Sequence, residues 1–177
     1  MLEGIKKLHF VGIGGVGMSA IAEVMLDKGY EISGSDLSES AVVKHLKAKG
    51  ATIYKGHDAL NVEGKEALVL SSAIHQDNPE LVAAKAKGLK LFHRSDILAY
   101  LLNDAKGIAV AGAHGKTTTS SMISVVLEHA KVDPTILIGG FVDYLKGNAK
   151  LGKSDYLVAE ADESDGSFLK FYPKIAV

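Results

Sequence analysis

Short apolar runs alternate along the chain with segments of helical period. The runs Leu8–Val11, Tyr30–Gly34, Thr52–Tyr54, Ala67–Ser71, Leu89–Phe92, Gly107–Ala111, Thr135–Ile138, Asp155–Ala159 and Lys174–Val177 predict strands. Between them, Gly17–Lys28, Ala41–Lys49, Pro79–Lys87, Asp96–Leu102 and Lys116–His129 predict helices. Strands that are apolar almost throughout and separated by helices form βαβ units, with a parallel sheet covered on both faces. The fold class is α/β.

A seam is expected near Asn103–Lys106, dividing a first domain over 1–105 from a second over 106–177. The first has the size of an ordinary domain. The second opens on a new strand and stops inside the apolar run Lys174–Val177, where a central strand would still need neighbours. The expectation is a fragment of a longer protein.

Composition narrows the classes. The chain has 177 residues, 47% hydrophobic and 23% charged, a globular balance that excludes a disordered tail. Twenty Lys and Arg against 21 Asp and Glu leave a net charge of −1 with no basic block, which argues against nucleic acid as a partner. Without cysteine there is no disulfide, thiolate metal site or Cys nucleophile. No signal-peptide pattern and no uncharged apolar run of about 18 residues occurs, so the sequence reads as soluble and cytoplasmic, with no membrane partner.

The 19 glycines cluster. Gly12-Ile13-Gly14-Gly15-Val16-Gly17 follows the first strand and opens the first helix, a G-x-G-x-x-G in strand–turn–helix context. Gly12 permits the tight turn, Gly14 lets a pyrophosphate approach the backbone, and Gly17 permits close helix–strand packing. The helix N-terminus offers N–H groups and partial positive charge to the anion. Asp36, about 20 residues on, ends the second strand where an acidic residue meets a ribose hydroxyl. These residues predict a diphosphate site and leave NAD and other diphosphate nucleotides open.

Gly112-Ala113-His114-Gly115-Lys116-Thr117-Thr118 forms a second turn between strand and helix. Gly115-Lys116-Thr117 is the GK[ST] half of a P-loop, although the generic pattern asks for glycine where Val110 stands. A shorter loop can still turn N–H groups onto phosphates. Lys116 would reach the β- and γ-phosphates and the Thr117 hydroxyl would ligate Mg²⁺. His114 is a loop histidine, either solvated or supporting. Further on, Glu160 ends a buried strand and starts an acidic run with Asp162, Glu163 and Asp165. Glu160 is placed to share the metal with Thr117 and the phosphates. Asp162 and Asp165 read equally as metal-side or solvated, and Glu163 as solvated.

Gly12–Ser19, Gly34-Ser35-Asp36, Ser71-Ser72-Ala73-Ile74, Gly112–Thr119 and Glu160–Asp165 together resemble the Mur ligase family, in order and over the whole chain. The resemblance implies a Rossmann-like UDP-sugar domain, then a central ATPase domain of P-loop type, here partial, and a third domain beyond this chain. It implies ATP-driven joining of L-alanine to the carboxylate of UDP-N-acetylmuramate, through an acyl phosphate, in cytoplasmic peptidoglycan synthesis. Carried over by position, Gly12, Gly14, Gly15, Gly17, Asp36, His57 and Ser71 would bind the UDP-sugar. Gly112, Ala113, His114, Gly115, Lys116, Thr117 and Thr118 would bind ATP, with Lys116 catalytic and with Thr117 and Glu160 on Mg²⁺. Ala113 stands where the family has Thr, and the family's metal-binding histidine and adenine-binding asparagines fall beyond Val177.

Three other readings compete. A nicotinamide-dependent dehydrogenase explains the first loop and Asp36 but leaves Lys116, Thr117 and Glu160 idle. A sister ligase that joins a tripeptide to the same UDP-sugar shares both loops. A binding module takes UDP-sugar through the first domain without turnover, which is also the expectation for this 177-residue chain taken alone. Edge pairing of the last strand would give a homodimer.

Overall fold

The apolar run at Lys7–Val11 forms β1, whose Leu8, Phe10 and Val11 are fully buried. After it come α1 (Val16–Asp27), β2 (Glu31–Asp36), α2 (Ala41–Ala48), β3 (Thr52–Lys55), β4 (Ala67–Leu70), α3 (Pro79–Ala86), β5 (Lys90–His93) and α4 (Arg94–Asn103). The computed structural model describes residues 1–161 and 166–177. The chain divides into two compact units, Met1–Arg94 and Ser95–Val177, so nearly all of α4 belongs to the second.

In the first unit all pairings are parallel and the strand order is β3-β2-β1-β4-β5. The order reverses direction at β1, and in open α/β sheets that switch point, at the carboxyl ends, is where ligands bind. The local signals agree with the elements. Ser40 caps α2 by accepting from the Val43 amide, and Asn78 caps α3 by accepting from Glu80 and Leu81, with Pro79 in the first turn. Helices α1, α2 and α3 each end in a lysine followed by a glycine of positive φ: Gly29, Gly50 and Gly88. The amides beyond them bond back to Met25, Leu46 and Ala84, closing the helix end. Val11, Val62, Leu68, Leu81 and Ala84 form a buried cluster under α3. Each such larger side chain contributes about 1.5–3 kcal/mol by leaving water.

The second unit contains β6 (Lys106–Val110), α5 (Lys116–His129), β7 (Thr135–Val142), β8 (Gly147–Lys150), β9 (Tyr156–Glu160) and β10 (Ile175–Ala176). Its order among the described residues is β10-β6-β9-β7-β8. The contacts of β6 with β9 and β10, and of β7 with β9, are parallel, whereas β7 and β8 are antiparallel. The sheet is therefore mixed, and β8 was not among the predicted strands. Gly147-Asn148-Ala149-Lys150 has no apolar run; its place is decided by pairing, Leu137 with Ala149 and Ile136 with Lys150. Lys150 then bonds Glu128 and Asp133, both at 2.6 Å. Among the described residues no helix is long and apolar enough to cross a membrane.

Candidate functional site

The first glycine loop leaves β1 with Gly12 at φ +72°, a left-handed conformation that suits glycine. The Gly12 and Ile13 amides both donate to the Ser35 carbonyl, and the Gly15 amide closes the turn onto Gly12. The Gly14 amide donates to Asp36 Oδ2 at 2.9 Å, and Asp36 Oδ1 accepts from the Ser38 amide and hydroxyl. Asp36 thus buttresses the loop from the end of β2.

At two glycines here a side chain would force its neighbours to move. A Cβ at Gly14 would lie 2.8 Å from Asp36 Oδ2 and 2.9 Å from the Val43 side chain. A Cβ at Gly34 would lie 2.6 Å from Ile13 and 2.8 Å from the Phe10 carbonyl oxygen. Gly17, expected to serve helix–strand packing, instead faces the Arg94 guanidinium, 3.2 Å from where its Cβ would be. Ile74, in the turn that begins at Ser71, packs toward Gly12, so Ser71 at the end of β4 neighbours the loop.

His57 follows β3 by two residues and is tied to the same edge. Its Nδ1 lies 2.9 Å from Ser35 Oγ and 3.0 Å from Glu80 Oε2. Beside Asp36 a cleft of about 220 Å³ opens, lined by Val43, Lys44, Lys47, Ile53 and Lys55. The carboxyl ends of β1, β2, β3 and β4 therefore gather Gly12, Gly14, Gly15, Gly17, Asp36, His57 and Ser71.

Sequence reasoning missed Glu80. It reads as an ordinary acidic residue in a helix's first turn, yet it is fully buried and accepts four side-chain hydrogen bonds. His9 Nε2 (3.3 Å) and Asn61 Nδ2 (2.7 Å) bond Oε1, and Ser35 Oγ (2.6 Å) and His57 Nδ1 bond Oε2. Burial pushes its carboxyl up, but the bonds from His9, Ser35 and Asn61 outweigh that and hold it at about 2. The available signal was a histidine in the middle of an apolar strand, which needs a buried partner.

In the second unit, α5 begins at Gly115, which has φ +82° and no side-chain cap, as α1 begins uncapped at Gly15. Both helix starts that follow glycine loops thus lack the side-chain oxygen that would occupy an anion's place. Gly112, Ala113, His114, Gly115, Thr117 and Thr118 are exposed, and Lys116 Nζ folds back to donate to the Gly112 carbonyl at 2.6 Å. Val110 pairs with Glu160 across β6 and β9, which sets the carboxylate beside the loop.

Ser120 of α5 donates to Glu160 Oε1 at 3.2 Å. A Cβ at Gly139 would lie 2.6 Å from Glu160 Oε2, and one at Gly140 would lie 3.1 Å from Thr117 Cγ2. Consecutive glycines of β7 thus make room for Glu160 and for Thr117. One carboxylate and one hydroxyl are hard oxygen donors that fit Mg²⁺ shared with phosphates, not a protein cage. Among the described residues no group of three or more His, Asp or Glu converges as such a cage. Asp162, Glu163 and Asp165 lie outside the described residues.

The family model described as Mur ligase family, catalytic domain, matches residues 7–118. The chain is 57% identical over 175 residues to a UDP-N-acetylmuramate--L-alanine ligase of Hydrogenobaculum sp., covering 99% of this chain and 39% of that protein. It is 55% identical over 172 residues to the protein of the same name from Dictyoglomus turgidum, covering 97% and 37%. Among solved structures it resembles the UDP-N-acetylmuramate:L-alanyl-gamma-D-glutamyl-meso-diaminopimelate ligase of Neisseria meningitides, with a TM-score of 0.89 and 30% identity over 98% of this chain and 60% of that one. It also resembles the UDP-N-acetylmuramate-alanine ligase of Thermotoga maritima, with a TM-score of 0.85 and 32% identity over 96% and 40%. The chain spans about two-fifths of the length of the curated relatives it matches.

Proposed function

The chain belongs to the Mur ligase family, and from that premise we propose that its protein is a cytoplasmic, ATP-dependent ligase that joins L-alanine to the carboxylate of UDP-N-acetylmuramate. The observation that carries the reading is the presence of two glycine loops in one chain, one buttressed by Asp36 and one beside Lys116, Thr117 and Glu160. A dehydrogenase would use only the first. Identities of 55–57% to ligases named for L-alanine favour that amino acid over the tripeptide.

In this reading Gly12–Gly17 and α1 bind the diphosphate of the UDP-sugar, and Asp36, His57 and Ser71 contact its nucleoside side. ATP with Mg²⁺ would supply the phosphoryl group, leaving ADP, that turns the poorly electrophilic carboxylate into an acyl phosphate; the amine of L-alanine then attacks its carbonyl carbon, and the C–O bond to phosphate breaks to release inorganic phosphate and the amide. Gly112–Thr118 wraps the phosphates with backbone N–H groups. Lys116 exchanges the Gly112 carbonyl for phosphate oxygens and stabilises the charge that grows on them. Thr117 and Glu160 would hold the metal. No side-chain nucleophile is called for, since positioning and electrostatics supply the catalysis.

The test has two parts. Calorimetric titration of this chain should show saturable binding of UDP-N-acetylmuramate and none of NADH. The complete protein should release ADP only with UDP-N-acetylmuramate and L-alanine together. NADH binding, or release driven by the tripeptide and not by L-alanine, would overturn the reading.

A further inference from the structure

The buried carboxylate of Glu80 has a consequence for ligand recognition. Ser35 Oγ lies 2.6 Å from Glu80 Oε2 and gives its one proton to that oxygen. Among the described residues, the hydrogen-bond partners of His57 Nδ1 are Ser35 Oγ and Glu80 Oε2, at 2.9 and 3.0 Å. An ionised carboxylate has no proton to give, and the serine has used its own. Both neighbours of Nδ1 are therefore acceptors, and Nδ1 must carry the hydrogen. The arrangement is braced from the other side: His9 and Asn61 occupy Oε1, and Asn61 also holds the Gly56 carbonyl next to His57. The Ser35 backbone carbonyl meanwhile holds the Gly12 and Ile13 amides of the glycine loop.

The His57 side chain is 20% exposed whereas that of Glu80 is 0% exposed. Nε2 has no hydrogen-bond partner among the described residues, and none of their buried side-chain nitrogens or oxygens lacks one, so Nε2 reaches solvent.

We propose that Glu80 is a positioning residue: it fixes His57 as the Nδ1–H tautomer, so that Nε2 presents a lone pair that accepts a hydrogen bond from an N–H or O–H of the bound nucleoside. The proposal rests on the nucleotide reading of the first glycine loop. It assigns His57 the job of reading a donor, where a histidine of the opposite tautomer would read an acceptor.

Long-range ¹H–¹⁵N spectra of the 177-residue chain, recorded at alkaline pH, report which ring nitrogen of His57 is protonated. The expected result is protonated Nδ1 and bare Nε2, with the Nε2 signal shifting when UDP is added. In Glu80→Gln the proton should move to Nε2 and the Kd for UDP should rise about fivefold to tenfold, the worth of one hydrogen bond. His57→Asn, whose amide can still donate toward Glu80, should keep its Tm and lose the same affinity, and it decides the matter if Glu80→Gln fails to fold. 2′-Deoxy-UDP, 3′-deoxy-UDP and N3-methyl-UDP each lack one candidate donor, so weakened binding of one identifies the partner; unchanged binding of all three would overturn the proposal. A wild-type His57 protonated on Nε2 would also overturn it, as would a tautomer change in Glu80→Gln without a change in Kd. A wild-type chain with the Nδ1–H tautomer that fails to bind UDP would instead overturn the nucleotide reading.

Discussion

The Gly14 amide donates to Asp36 Oδ2 at 2.9 Å, and that same oxygen occupies the space beside Gly14 where any side chain would begin. The first glycine loop and the carboxylate at the end of the neighbouring strand are thus joined by a hydrogen bond and packed without room for a Cβ between them.

Gly14→Ala should therefore displace both Asp36 and Val43. Overpacking of this kind costs about 1–3 kcal/mol. UDP-N-acetylmuramate affinity should fall at least ~10-fold, which is about 1.4 kcal/mol, by calorimetry. Unchanged affinity would mean that the loop is not the diphosphate site.

Gly139→Ala should act on the second site at a distance from its loop. Its Cβ would press on Glu160 Oε2, 2.6 Å away, and turn the carboxylate from its place. The complete protein should need more Mg²⁺ for half-maximal turnover, while UDP-sugar binding stays as it was. A Mg²⁺ titration of ADP release checks this.

Lys116→Ala in the complete protein should lower kcat by at least ~10²-fold if the lysine stabilises charge on the transferring phosphoryl group. Turnover at the wild-type rate would remove Lys116 from the chemistry.

Glu80 makes the fold acid-sensitive. Its carboxyl sits at about 2 in the folded chain against an ordinary 4.5. A lowered carboxylate contributes stability that is complete above the unfolded value and is lost as pH falls from about 4.5 toward about 2, on the order of 3 kcal/mol in all. Urea melts stepped from about pH 6 down to about pH 3 should show roughly half or more of this loss. Glu80→Gln should be less stable at neutral pH by about 2–4 kcal/mol, with the gap narrowing in acid. A gap that stays constant with pH would remove the carboxylate's charge from the account.

Much of the molecule was legible in one dimension. Leu8–Val11 reads as a buried strand because apolar residues of that length have few other fates, and Ser40, Asn78-Pro79 and the Lys-Gly helix ends mark helix boundaries through purely local hydrogen bonds. The two glycine turns between strand and helix were legible for the same reason, since the residues of a tight turn are consecutive. Strand β8 was not, because Gly147–Lys150 owes its conformation to the strand it pairs with.

Local sequence alone determined the elements, the two glycine loops and the acidic end of β9, because each depends on neighbours within a few residues. The tertiary structure alone decided what Asp36, Gly139 and Glu80 do. Asp36 meets Gly14 across 22 residues, Gly139 makes room for Glu160 from another strand, and Glu80 meets His9 across 71 residues. A buried charge must find its partners wherever the chain brings them, and no periodicity along the sequence records that search.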